Sequence, residues 1–180
     1  MTVYYDTITT TWGDMFLATT EKGICCAMFI ESAYSFDDTN ARKFIKADEF
    51  KKDSSKLVHA KQQLLEYFDG TRDTFDLALD LSGTDFQMAV WDILLEIPFG
   101  EVWSYQDVAI KAGDANKVRA VGGAVGKNPV VLIVPCHRVV GKSGKLTGFS
   151  SLGGVALKQK ILDHEGISLN SGTDYQIPLI

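Results

Sequence analysis

Ser104-Tyr105-Gln106-Asp107-Val108-Ala109-Ile110-Lys111-Ala112-Gly113-Asp114-Ala115-Asn116-Lys117-Val118-Arg119-Ala120-Val121-Gly122-Gly123-Ala124-Val125-Gly126 is the stretch on which the fold turns. Ser104 with Asp107 three residues later has the form of a capping box, so a helix opens there and runs through Ala112, with Gly113 just past its end. A further helix is predicted from about Ala115 to Gly126. Two short helices joined by the tight Gly113-Asp114 connection form a helix-turn-helix pattern. The second of them carries Gly122, Gly123 and Gly126 in or at its end, each costing roughly 1 kcal/mol relative to alanine. Such a helix is retained when something must come close to its backbone. That something is either another helix of the core or the floor or wall of a DNA groove.

Outward from this stretch, helices continue on both sides. Thr84 and Gln87 form another capping box, followed by Phe86, Val90, Ile93, Leu94 and Ile97 at helical spacing and a stop at Pro98. A last helix is predicted over roughly Val155–Glu165, ending at Gly166, and residues 167–180 are expected to form a loosely held tail. Upstream of Ser82-Gly83, read as a hinge, the pattern differs. Val3–Thr10, Met15–Thr20 and Gly23–Ile30 are rich in β-branched and aromatic residues and are separated by turn signals, which predicts an antiparallel meander. Residues 32–53 have the composition of an exposed connection. Leu57, Ala60, Lys61, Leu64, Leu65 and Phe68 then predict a helix capped by Ser54 or Ser55, with Gly70 past its end. Phe75, Leu77, Leu79 and Leu81 alternate with Asp76, Ala78 and Asp80, the pattern of a strand with one buried face.

The 180 residues suffice for one large domain or two small ones. The longest aliphatic run, Val130–Val134, is far too short to span a membrane, and no signal peptide is expected. Three cysteines, two of them adjacent, make a poor disulfide framework, so the cytosol is the expected compartment. Cys25 and Cys26, neighbours on a strand, point to opposite faces and cannot share an ion; no zinc site is expected, and His59 is expected at the surface. Net charge is −5, which alone argues against a polyanionic partner. Yet residues 1–100 carry 9 Lys+Arg against 17 Asp+Glu, whereas residues 101–180 carry 9 against 6, so the second segment is mildly basic.

The chemistry gathers around Val134-Pro135-Cys136-His137-Arg138-Val139. An apolar run bounded by Pro135 predicts a buried strand, with Cys136 emerging where it leaves the core. Adjacent positive or polarisable groups favour the thiolate, which is the nucleophilic form; a structural, half-buried cysteine is the alternative. Glu165 near the carboxyl end of the last helix faces the negative end of the helix dipole, and pairing with His137 would offset that. Cys136, His137 and Glu165 then stand as nucleophile, base and orienter. Arg119 is either a solvated surface residue or a long fixed charge aimed at a partner. Tyr105 in the first turn of its helix is either a packing residue or an acid. Asn128-Pro129 breaks the glycine-rich helix.

Taken in order, Gly83-Thr84-Asp85-Phe86-Gln87, Ile97-Pro98-Phe99-Gly100-Glu101-Val102, Ser104-Tyr105, Arg119-Ala120-Val121-Gly122-Gly123-Ala124, Asn128-Pro129, Pro135-Cys136-His137-Arg138-Val139-Val140 and His164-Glu165-Gly166 resemble the methylated-DNA–protein-cysteine methyltransferases, or O6-alkylguanine-DNA alkyltransferases. The resemblance is close from Thr84 to Gly166; the N-terminal segment matches in element order alone. It implies an α+β protein: a small N-terminal ribonuclease-H-like α/β domain over residues 1–82, then a mainly helical, helix-turn-helix and winged-helix-like domain over residues 83–180 for DNA binding and alkyl transfer. Cys136 would accept the alkyl group from O6 of guanine irreversibly, one event per molecule, with no cofactor and no metal. His137 would act through a water as base, held by Glu165. Tyr105 would donate to the purine, and Asn128 would brace the active-site turn. The backbone carbonyls of Cys136 and Val139 would read the guanine amino group.

By the same resemblance the partner is double-stranded DNA, approached from the minor groove by a monomer. Arg119 would replace the flipped-out nucleotide, with Ala120, Gly122, Gly123, Ala124 and Lys127 along the DNA-binding surface. Phosphate contacts would come from Lys111, Lys117, Lys127, Lys142 or Lys145. Thr147-Gly148-Phe149-Ser150-Ser151-Leu152-Gly153-Gly154 carries two residues more than the family pattern in a loop that walls the alkyl pocket; either Ser150 or Ser151 would face the guanine oxygen. The competing readings are a non-enzymatic alkylated-DNA-binding relative, against which Cys136 argues, and a helix-turn-helix regulator, for which Gly122-Gly123-Ala124 offers no base-reading side chains. A Cys-His hydrolase lacks an identified oxyanion-hole segment.

Overall fold

The meander of the first thirty residues is present as three antiparallel strands, β1 (Thr2–Thr10), β2 (Gly13–Thr19) and β3 (Ile24–Ile30), in a computed structural model that describes residues 1–31 and 45–169. A fourth strand, β4 (Glu49–Lys52), pairs in parallel with β1, so the sheet order is β3-β2-β1-β4. This strand corrects the expectation of a featureless connection over residues 32–53. Its sequence, Glu49-Phe50-Lys51-Lys52, suits a charged sheet edge, and only the long-range pairing of Val3 with Phe50 reveals it. The portion 32–44 of that connection, and 170–180 of the expected tail, lie outside the described residues.

Helix α1 (Val58–Phe68) buries Ala60, Leu64, Tyr67 and Phe68. The cap expected from Ser54 or Ser55 is supplied by Asp53, whose carboxylate accepts the Ser55 N–H at 3.0 Å and opens a 3-10 turn, Ser54–Leu57, leading into the helix. The alternating segment Phe75–Leu81 forms no full strand. It adds a single parallel bridge, Leu79 with Ile24, and its burial alternates as expected without a continued ladder. Val3, Phe16, Ala18, Cys25, Cys26 and Ile45 form one core of this unit, so both adjacent cysteines are buried.

The second unit holds the helices. The chain divides into compact units Met1–Ser82 with Pro129–Ile133, and Gly83–Asn128 with Val134–Ile180. Helix α2 (Asp85–Leu95) opens on the expected capping box: Thr84 accepts the Gln87 N–H at 3.3 Å while Gln87 Oε1 accepts the Thr84 N–H at 2.9 Å. Trp103–Ser104 forms β5, and α3 (Tyr105–Lys111) follows with its own box between Ser104 and Asp107. Gly113, at φ +91°, turns the chain in a backbone region that side chains disfavour. A 3-10 turn, Ala115–Lys117, precedes α4 (Val118–Val125), so the glycine-rich helix starts three residues later than its periodicity suggests. The indole N–H of Trp91 on α2 donates to the Ala124 carbonyl at 3.0 Å, fixing α4 against α2. Val139–Val140 forms β6, paired in parallel with β5, and α5 spans Gly154–His164. Among the described residues no helix is long and apolar enough to cross a membrane.

Candidate active site

The predicted strand before the cysteine is a buried turn. Val130 to Val134 are all buried, but the run forms isolated bridges rather than a strand, among them a parallel one between Val130 and Ala27, and Leu132 sits at φ +76°. A bulky residue in that region is held there by its surroundings. Pro135 then ends the run, and Cys136–Arg138 form one 3-10 turn, with the Arg138 N–H on the Pro135 carbonyl at 3.0 Å. A single turn therefore carries three consecutive functional side chains, two of which, His137 and Arg138, meet on Glu165.

Cys136 is 5% exposed. Burial pushes its thiol above the ordinary range; a hydrogen bond with the Asn128 side chain, the charge of Lys158 and the local peptide N–H groups work the other way. Asn128 itself is buried and donates Nδ2–H to the Val134 carbonyl at 2.8 Å, so it ties the turn before Cys136 to the end of α4. These groups favour the thiolate over the thiol.

His137 is fully buried. Its Nε2 lies 2.7 Å from Glu165 Oε1, the pairing expected from the sequence, while Nδ1 is buried without a hydrogen-bond partner among the described residues. Burial lowers the imidazole pKa against the opposing pull of Glu165, so the ring is neutral. With a carboxylate at Nε2, the ring proton belongs there, and Nδ1 is a free lone pair. Burial alone would raise the Glu165 carboxyl; the hydrogen bonds from His137 and Arg138 and the Arg138 charge outweigh it and bring it down to about 2. Arg138 binds Glu165 in a fork, Nε to Oε2 at 2.8 Å and a terminal N–H to Oε1 at 3.0 Å, and donates also to the Ile97 carbonyl at 2.6 Å. The unfavourable helix-end position of Glu165 is thus offset by two partners.

Two residues essential to this geometry were not among the expected site residues. Arg138 is one. Lys158 is the other: wholly buried on α5, it donates to the Val139 carbonyl at 2.5 Å and the Thr147 carbonyl at 3.2 Å. Burial pulls its pKa down to about 8, with Cys136 acting in the opposite sense. The signal was present, since Lys158 and Glu165 share the stripe of α5 that buries Ile161 and Leu162. Charges on an apolar stripe are rarely solvated surface groups.

Tyr105, partly buried at the start of α3, donates its hydroxyl to the Thr147 carbonyl at 3.2 Å; burial, then Cys136, raise its pKa. The Val139 carbonyl accepts from Lys158, and the Cys136 carbonyl accepts the Val139 N–H, which leaves each one lone pair. In the long loop, Ser150 Oγ donates to the Gly126 carbonyl at 2.5 Å, whereas Ser151 Oγ is buried with no partner among the described residues.

On α4, Arg119, Ala120 and Gly123 are exposed, as is Lys127 just beyond, and Gly122 is half-buried beside the Tyr105 ring. Ala124 departs from the expected surface set: its side chain is in the core and its carbonyl holds Trp91. A Cβ on Gly123 would meet nothing within 4 Å, so the fold itself does not require glycine there. No cluster of three His, Cys, Asp or Glu side chains fit to hold a metal occurs among the described residues.

A buried thiol on the same turn as an imidazole backed by a carboxylate, in a chain with a small sheet domain followed by a helical one, defines a two-domain α+β protein with a candidate cysteine nucleophile. Residues 3–81 match the ribonuclease-like domain, and residues 85–167 the DNA-binding domain, of 6-O-methylguanine DNA methyltransferase. A methylated-DNA–protein-cysteine methyltransferase of Methanosarcina barkeri is 39% identical over 163 residues, 91% of this chain and 97% of that protein. The constitutive Bacillus subtilis protein of that name is 40% identical over 165 residues, 92% and 96% of the two chains. The crystal structure of a Mycobacterium tuberculosis O6-methylguanine methyltransferase is similar with a TM-score of 0.78 at 39% identity, covering 94% of this chain and 96% of that one. A Mycobacterium tuberculosis relative solved in complex with DNA gives 0.76 at 38%, covering 92% of each. The chain belongs to the methylated-DNA–protein-cysteine methyltransferase family.

Proposed function

We propose that the protein repairs DNA by transferring a methyl or other alkyl group from O6-alkylguanine irreversibly to Cys136, one event per molecule. The observation that carries this is the free Nδ1 of His137, held by Glu165 next to the Cys136 turn. Nδ1 takes the thiol proton through an intervening water; the thiolate attacks the alkyl carbon, the carbon–oxygen bond breaks, and a thioether forms as guanine leaves with the electron pair. Tyr105 donates to the purine as that charge develops, and Lys158 stabilises the thiolate beforehand. Asn128 fixes the sulfur, and the carbonyls of Cys136 and Val139 accept from the guanine amino group.

A thiol so enclosed reaches only a base that has left the helix stack. Arg119 fills the vacated place, while Ala120, Gly122 and Gly123 let α4 lie against the minor groove and Lys127 meets phosphate. Residues 1–82, joined by Pro129–Ile133, form the ribonuclease-H-like domain, and the remainder of residues 83–180 the winged-helix-like DNA-binding and transfer domain of a monomer. Three unpaired cysteines suit the cytosol.

Intact-mass and peptide spectrometry after incubation with a duplex bearing O6-methylguanine tests the reaction. One methyl group on the Cys136 peptide is expected, with DNA binding retained in Cys136→Ala; an unmodified protein beside a still-methylated oligonucleotide rejects it. Arg119→Ala should slow repair in duplex more than in single strands, and equal slowing would remove its role in the stack.

A further inference from the structure

The loop Thr147–Ser151 is fastened at two points. At its start the Thr147 carbonyl receives both the Tyr105 hydroxyl and the Lys158 ammonium. At its far end the Ser150 hydroxyl donates to the Gly126 carbonyl at 2.5 Å. Gly126 caps the carboxyl end of α4, and its carbonyl is one of the helix-end oxygens that the helix itself cannot satisfy. The neighbouring carbonyls are otherwise engaged: Ala124 by Lys127 N–H and Trp91, Val125 by Asn128 N–H. Two residues after Gly126 stands Asn128, which holds both the Val134 carbonyl and the Cys136 thiol. A short run of backbone therefore joins the Ser150 contact to the cradle of the nucleophile. The next side chain, Ser151, is left with a buried hydroxyl that no described group receives, and such orphans are rare enough to need a reason.

We propose that Ser150 is a positioning and specificity-determining residue whose hydroxyl latches the pocket wall to the end of α4, fixing the room an alkyl group has beside Cys136 and leaving Ser151 as the hydroxyl free for the purine. This rests on the alkyl-transfer reading above. Once α4 lies on DNA, the latch carries its position to the wall, so the gap between wall and sulfur is set by the same contact that seats the helix. Releasing the latch lets the wall retreat, which favours bulky groups at the expense of small ones.

The test is a single-turnover comparison of duplexes carrying O6-methylguanine or O6-benzylguanine, read at the Cys136 peptide, for the wild type, Ser150→Ala, Ser150→Thr and Ser151→Ala. Ser150→Ala should lower the methyl-to-benzyl rate ratio by roughly three- to tenfold, the worth of one ordinary hydrogen bond, and Ser150→Thr should restore it. Ser151→Ala should slow both substrates alike. If the wild type takes no benzyl group, benzyl transfer gained by Ser150→Ala supports the latch, and none gained overturns it. An unchanged ratio in Ser150→Ala with an unchanged melting curve also overturns it, since a merely structural loss slows both reactions together. A wild type that takes up neither group defeats the transfer reading itself, a failure distinguishable from that of the latch.

Discussion

Glu165 sits between His137 and Arg138 and serves both, so its removal has two separable effects. Its carboxyl is held at about 2 against an ordinary 4.5. A lowered pKa contributes stability that is complete above the unfolded value and lost as pH falls through 4.5 toward 2. Acid unfolding of the wild type followed by circular dichroism should therefore steepen in that window, and Glu165→Gln should flatten it. At neutral pH the same substitution strands the Arg138 charge in the interior and should cost about 3–5 kcal/mol in denaturant titrations. Tyr105 gives a different expectation. Its hydroxyl is already bonded to Thr147, so donating to a purine exchanges one acceptor for another, and the vacated carbonyl keeps Lys158. Tyr105→Phe should leave duplex affinity within about twofold while slowing transfer by about tenfold or more, the mark of an interaction made in the transition state. Equal losses in both would show that the hydroxyl serves binding.

Helix α4 separates what folding needs from what it leaves open. Val121, Ala124 and Val125 face the core, whereas Gly123 opens onto empty space. Gly123→Ala should stabilise the protein by about 0.5–1 kcal/mol, because alanine is the better helix former. The same change should weaken binding to duplex DNA, read by fluorescence anisotropy; undiminished affinity would mean that the glycine is not at the contact. The elements legible in the sequence are those fixed by local chemistry, such as the boxes at Thr84 and Ser104, which need only residues three apart. Those fixed by distant partners were not legible. Glu49–Lys52 becomes a strand through pairing with β1, and Phe75–Leu81 has the alternation of a strand without a second ladder to complete it. Within the site, the pairing of His137 with Glu165 could be read from chemistry alone. Lys158 was passed over because a lysine is counted as surface until its neighbours on the helix are examined.

At the scale of the molecule, sequence order and spatial grouping part company at one place. Pro129–Ile133 groups with the sheet unit although the chain on either side belongs to the helical one. Neither unit is therefore a contiguous span of polypeptide. Residues 83–128 interrupt the sheet unit as an insertion would, five residues are stitched back into the host, and from Val134 the chain returns to the helical unit. Severing the chain between Ser82 and Gly83 would not release a finished domain, because the fragment 83–180 would carry Val130, Val131, Leu132 and Ile133, all now buried, into water. That fragment should sediment as aggregates where the intact chain stays dispersed, and co-expression with residues 1–82 should bring it back into solution.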